Sequence, residues 1–245
     1  MTRTPSPADP LDGLPGLSRR PAPARHRRVP LWLLILVGAL VLVLGAGAAY
    51  LLLPLDAPVP DEVGARYAGL ARGVTEQGFP RLGRADAPLL IEDFSSYACA
   101  HCAAFFEDEL PGLLDAIDAG RVQFVLIPVP FGRGAPTATR AALCAGEQGM
   151  FWEMNDTLFS WHGRFAGSIY HARRVNMGAE ALGLDTGAFE ACMAGDAVQQ
   201  VVDRARSEFD RRGLRGTPSL FANGERVESY EELEALANSE SAEST

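Results

Sequence analysis

Two cysteines lie three positions apart in Cys99-Ala100-His101-Cys102, between an apolar strand-like run, Leu89-Leu90-Ile91-Glu92-Asp93-Phe94, and a helix-like run. On a helix, residues i and i+3 share a face, so the two sulfurs could close a small ring. That is the arrangement dithiol–disulfide chemistry requires. Cys99 falls in the opening helical turn, where unpaired backbone N–H groups and the dipole favour a thiolate. The His101 imidazole and sharing of the negative charge with Cys102 are expected to lower its pKa further. Cys102, one turn further in, is expected to be the buried, resolving thiol. Two other readings fit the same residues. One is a static bridge between near neighbours. The other is a zinc site, which would need ligands beyond the three in Cys-x-His-Cys.

The elements that must hold these thiols can be read on either side. Asp86-Ala87-Pro88 reads as a turn feeding the first strand. The helix after the cysteines is expected to run to about Ala119, with Pro111 as a kink and Gly120 as its end. Val122–Ile127 reads as a second strand, stopped by Pro128 and Pro130. From Pro136 to about Arg212 apolar residues recur at helical spacing, with breaks near Gly149, Gly163–Gly167, Gly183 and Gly195. Thr217–Phe221, Asn223-Gly224 and Arg226-Val227 then form a hairpin pattern with a two-residue Asn-Gly turn. Tyr230–Asn238 reads as a closing helix.

The chain carries a net charge of −9, unevenly distributed. Residues 1–30 hold six Arg against Asp9 and Asp12, whereas the rest holds 16 Arg against 29 acids. An acidic domain of this kind is a poor match for nucleic acid. Leu31 to Leu53 is 23 residues without a charge, enough to cross a hydrocarbon core of about 30 Å. Arg19, Arg20, Arg25, Arg27 and Arg28 precede it, and Asp56, Asp61 and Glu62 follow. The arginine excess predicts a cytoplasmic N-terminus and an extracytoplasmic C-terminal domain. Ala46-Gly47-Ala48 resembles a cleavage site, but the apolar run continues past it, which favours an uncleaved signal anchor. The expected organisation is a disordered tail over 1–30, a transmembrane helix over 31–53 and a linker over 54–77. A compact α/β domain over 78–238 and a frayed end over 239–245 complete it.

Strand, CxxC helix, strand, helical block, hairpin and helix make a thioredoxin-like fold with a helical insertion at about 136–212. Asp93-Phe94-Ser95-Ser96-Tyr97-Ala98-Cys99-Ala100-His101-Cys102 and Gly216-Thr217-Pro218-Ser219-Leu220-Phe221 with Asn223-Gly224 resemble the DsbA-like family of exported thiol:disulfide oxidoreductases. The resemblance implies a membrane-tethered enzyme, in the periplasm or its equivalent, that oxidises cysteine pairs of exported proteins. Cys99 would be its nucleophile. It implies a cis peptide at Pro218, with the Thr217 backbone offered to substrate and metals kept from the thiols. It also implies a buried acid, Asp93 rather than Glu92, that moves the proton of the resolving thiol. Reoxidation by a quinone-linked membrane partner follows by family analogy, with no cofactor in the domain itself. His101 matches oxidising members, whereas Ala100 stands where they commonly carry Pro.

Cys144 and Cys192 are the remaining cysteines, and an even count in an exported domain suggests pairing. Relatives with a second bridge between insertion helices point to a structural disulfide. Two separate buried thiols or a second redox pair are the alternatives. Phe151, Trp152, Phe159, Trp161 and Phe165 fit an insertion core better than a peptide-binding surface. His162 and His171 read as surface residues. The Asn155-Asp156-Thr157 sequon falls in a helix-like segment and is discounted. Two functions compete with oxidation: reduction or isomerisation on the same fold, and a non-catalytic tethered chaperone or binding module.

Overall fold

The computed structural model describes residues 30–52, 56–165 and 169–239. The expected tails over 1–29 and 240–245 lie outside these residues. Two compact units are present, 1–53 and 54–245. The first contains helix α1, Leu31–Leu52, whose window Leu31–Ala49 has a mean hydropathy of 2.6. From Leu31 to Leu44 its large apolar side chains are exposed. Among the described residues it is the one helix long and apolar enough to cross a membrane.

The second unit is built on a six-stranded sheet in the order β1-β2-β4-β3-β5-β6. β1 is Arg72–Val74, β2 Pro80–Leu82, β3 Leu89–Ser95, β4 Val122–Pro128, β5 Ser219–Ala222 and β6 Glu225–Val227. Only β3 and β4, the central pair, run parallel. Parallel neighbours require a crossover, and the helical segment 100–118 supplies it. Alternation along β3 separates its two faces. Leu89 and Ile91 join the larger core with Phe105, Phe106, Phe124 and Trp152. Phe94 packs on the other face with Phe79, Val125, Ile127, Phe209 and Phe221. Asp93 and Ser95 have the parity of Ile91, on the side of the crossover helix.

Among the described residues, five helices fill the β4–β5 connection: α5 Ala135–Gly146, α6 Phe151–Ser160, α7 Ala172–Ala181, α8 Thr186–Ala194 and α9 Asp196–Arg211. α9 buries Val198, Val202, Ala205 and Phe209, a stripe at helical spacing. Cys144 of α5 is bonded to Cys192 of α8 across a separation of 48 residues. One turn before Cys144, the Arg140 guanidinium binds the carbonyls of Met193 and Gly195. α10, Tyr230–Ser239, closes the described chain.

Two expectations change. The 54–77 linker is in part structured: it carries helix α2, Val63–Arg66, and strand β1, and Tyr67 is fully buried. Arg66 pairs with Asp156 at 2.8 Å, and Trp161 Nε1 donates to Pro58 O at 2.8 Å. The domain therefore begins upstream of Gly78. The crossover helix is also not uniform. α3, Ala100–Ala104, widens into a π turn at Phe105–Glu109 and tightens into a 3-10 turn at Leu110–Leu113. It resumes as α4, Leu114–Asp118. Pro111 falls in the tight turn, where its missing N–H costs least.

Candidate active site

Cys99 is the N-cap of α3. Its backbone is extended at φ −100° and ψ 121°, and its sulfur accepts the Cys102 N–H at 3.4 Å. The cap satisfies one of the free donors that a helix start leaves. In the thiol form Sγ donates to the Thr217 carbonyl at 3.1 Å. The Thr217–Pro218 bond is cis, so the peptide facing the thiol is the one the sequence singles out. Cys99 is half-buried and Cys102 fully buried, and both are unbonded thiols here.

Their surroundings pull the two sulfurs apart in acidity. Burial raises the Cys99 pKa, but hydrogen bonds from Thr217, the Cys102 side chain and the Cys102 and His101 backbones outweigh it, leaving the thiol more acidic than usual. His101 thus contributes its backbone N–H, and its imidazole is exposed to solvent. Cys102 is pushed far the other way, first by burial and then by the field of Asp93. A polarised pair, one acidic and partly accessible, one buried and reluctant to ionise, is what ordered attack and release require.

Asp93 is fully buried beneath Cys102 on the β3 face described above, and burial raises its pKa to about 7. The Ser95 hydroxyl lies 2.7 Å from each carboxylate oxygen and partly offsets that rise. The Ser95 hydroxyl also lowers the Cys102 pKa somewhat, so one hydroxyl bears on both groups. Glu92 points to the opposite face, where Arg212 binds it at 2.7 Å and stacks over Phe94 and Phe221.

All six residues expected at the site, Cys99, His101, Cys102, Asp93, Thr217 and Pro218, converge at the C-terminal end of β3. Cys144 and Cys192 lie elsewhere, in the insertion. Ser95 escaped the sequence reading, although its position two residues after Asp93 puts both on one strand face. His162 is not simply a surface residue: it is half-buried, with Nε2 3.4 Å from the Ala98 carbonyl. His171 is half-buried as well, at the N-cap of α7. Asn155 is fully buried and accepts the Tyr97 hydroxyl at 2.9 Å, so the sequon is out of solvent. Phe151, Trp152, Phe159 and Trp161 are core residues. Phe165 is half-buried under the Arg174 guanidinium at 4.1 Å.

A family model described as Thioredoxin matches residues 75–239. The Na(+)/H(+) antiporter NhaA 1 of Salinispora arenicola is 29% identical over 215 residues, 82% of this chain but 31% of the relative. The chain thus spans under a third of the length of that relative, whose name describes the whole protein. Disulfide bond formation protein D of Bacillus subtilis is 34% identical over 87 residues, 34% of this chain and 39% of the relative. The oxidised crystal structure of BdbD from Bacillus subtilis superimposes with a TM-score of 0.62 at 22% identity, covering 70% of this chain and 97% of that one. With its CxxC at the tip of α3 and its helical insertion, the chain belongs to the thioredoxin family over residues 75–239.

Proposed function

We propose that the 54–245 unit oxidises cysteine pairs of exported proteins, held outside the cytoplasmic membrane by α1 as a signal anchor. The observation that carries this reading is the inequality of the two sulfurs. Cys99 is accessible and acidified by hydrogen bonds, whereas Cys102 is buried above a carboxyl group. A stabilised thiolate favours the reduced form, which makes the disulfide the stronger oxidant.

In the oxidised enzyme a client thiolate attacks Cys99 Sγ. The Cys99–Cys102 bond breaks, and Cys102 leaves as a thiolate that takes a proton by way of Ser95 and Asp93. The client's second thiolate attacks its own sulfur in the mixed disulfide, and Cys99 leaves as the stabilised anion. Two client thiols lose two electrons and two protons, and the enzyme disulfide gains both electrons. Thr217 offers its backbone as a short β-partner to the client segment beside Cys99. Regeneration needs an electron acceptor, proposed by analogy to be a quinone-linked membrane protein.

The equilibrium reduction potential of the full chain tests the direction. A value near −120 mV is expected, and one near −270 mV would make the protein a reductase. Cys99→Ser should abolish dithiol oxidation, and full activity in that variant would refute the mechanism.

A further inference from the structure

Beyond α1 the chain carries 16 Arg against 29 Asp and Glu, yet no acid occurs in 95–105, 119–146, 157–179 or 211–224. Parts of these four stretches meet at the thiol. Gly132 approaches so closely that a Cβ there would lie 2.5 Å from the Ala98 Cβ. His162 Nε2 is 3.4 Å from the Ala98 carbonyl, and the Thr217 carbonyl is 3.1 Å from Cys99 Sγ. One or two residues from each of these contacts stands an exposed arginine: Arg133, Arg164 and Arg215.

These three differ from most of the other arginines; Arg81 and Arg121 also leave guanidinium nitrogens unpaired, but both are half-buried. Seven others among the described residues pair with carboxylates. Arg140, Arg174 and Arg204 bind backbone carbonyls. The side chains of Arg133, Arg164 and Arg215 have no ion pair or hydrogen bond among the described residues. Glu62 and Glu107 share a cavity with Arg164, and neither bonds it. Three arginines without a carboxylate partner therefore stand one or two residues from the contacts around Cys99, in an otherwise acidic domain.

We infer that this face docks acidic client segments, so that cysteines flanked by Asp or Glu are the preferred substrates. The inference rests on the exchange reading above and adds the class of client. Positive charge on three separate segments near one thiol steers a negative partner toward the reacting atom, and salt screens the attraction beyond about 10 Å at 0.1 M. A client peptide fits better than a lipid surface because the arginines flank, in sequence, the contacts made by Ala98 and by the Thr217 carbonyl, which a client must reach.

The test uses the oxidised full chain in a neutral maltoside detergent, with two dithiol peptides that differ only in Glu or Lys flanking each cysteine, and an uncharged small dithiol as reference. At low salt the Glu peptide should react about 10-fold faster than the Lys peptide, with the ratio approaching one in about 0.5 M salt. The same collapse is expected in an Arg133→Ser, Arg164→Ser, Arg215→Ser triple variant. Equal peptide rates at low salt, with the uncharged dithiol still oxidised, would overturn the inference alone. Inertness toward the uncharged dithiol would instead overturn the exchange reading. Preference that survives in the triple variant, or emerges only after phosphatidylglycerol is added to the micelles, also overturns it; the latter result would assign the arginines to a lipid surface.

Discussion

One chain holds two cysteine pairs, and they differ in almost every physical respect. Cys99 and Cys102 are neighbours on one helical turn, unequal in exposure, with backbone donors at one sulfur and a carboxyl group below the other. Cys144 and Cys192 are 48 residues apart, joined, and surrounded by helices α5 and α8 with the Arg140 guanidinium alongside. Cysteine chemistry is therefore set by the environment that the fold builds around each sulfur. A helix start and a buried acid make the first pair suited to exchange. Helix packing makes the second a staple.

The contrast can be broken most decisively at Cys99. Cys99→Ser should remove exchange altogether, while a Cys144→Ala, Cys192→Ala variant keeps it at temperatures where the protein stays folded; a dithiol-peptide oxidation assay reads both. The second pair should answer in stability instead. Opening a loop of 48 residues costs about 4 kcal/mol in the chain-entropy picture. Denaturant unfolding of that double variant checks the figure, and an unchanged midpoint would show that Arg140 and packing suffice.

Asp93 sharpens the comparison through pH. Its folded pKa of about 7 lies above the ordinary value of 3.8, so the folded state holds a proton that the unfolded chain has released. That contribution is intact below pH 3.8 and is lost as pH rises through about 7, a change of about 4 kcal/mol for a shift of this size. Asp93→Asn should therefore become more stable relative to wild type between those limits, and urea unfolding across pH measures it. The variant should also slow the step at Cys102. The smallest effect is expected from Ser95→Ala. Loss of one hydrogen bond is worth about 1 kcal/mol, or under one pKa unit. Its sign is fixed, because removing the hydroxyl moves the proton-transfer profile to higher pH.

The catalytic layer was largely legible because its signals are local. An apolar strand leads into CxxC, and Thr-Pro precedes an Asn-Gly hairpin; each pattern has its own geometry. β1 and β2 were not legible. Arg72-Gly73-Val74 and Pro80-Arg81-Leu82 are too short to show alternation, and they pair only because β4 presents an edge to β2. The polar chain Tyr97–Asn155–Asp156–Tyr67 was also hidden. Asn155 and Asp156 look like solvent-facing helix residues until the segment around Tyr67 covers them. Ser95 belongs between these cases, since parity gives its face and only the folded chain gives its partners.

The π turn at Phe105–Glu109 sets the phase of the whole catalytic helix. Each residue of an ordinary helix advances about 100° around the axis, and the wider turn lets the consecutive rings of Phe105 and Phe106 both reach the interior. Leu110 and Leu113 anchor the following turn in the same core. Deleting a single residue from the bulge would re-index Cys99 and Cys102 against that anchor and swing the sulfurs off the axis shared with Asp93 and the proline loop. The angular setting of the chemistry thus depends on a backbone irregularity in the turns that follow it.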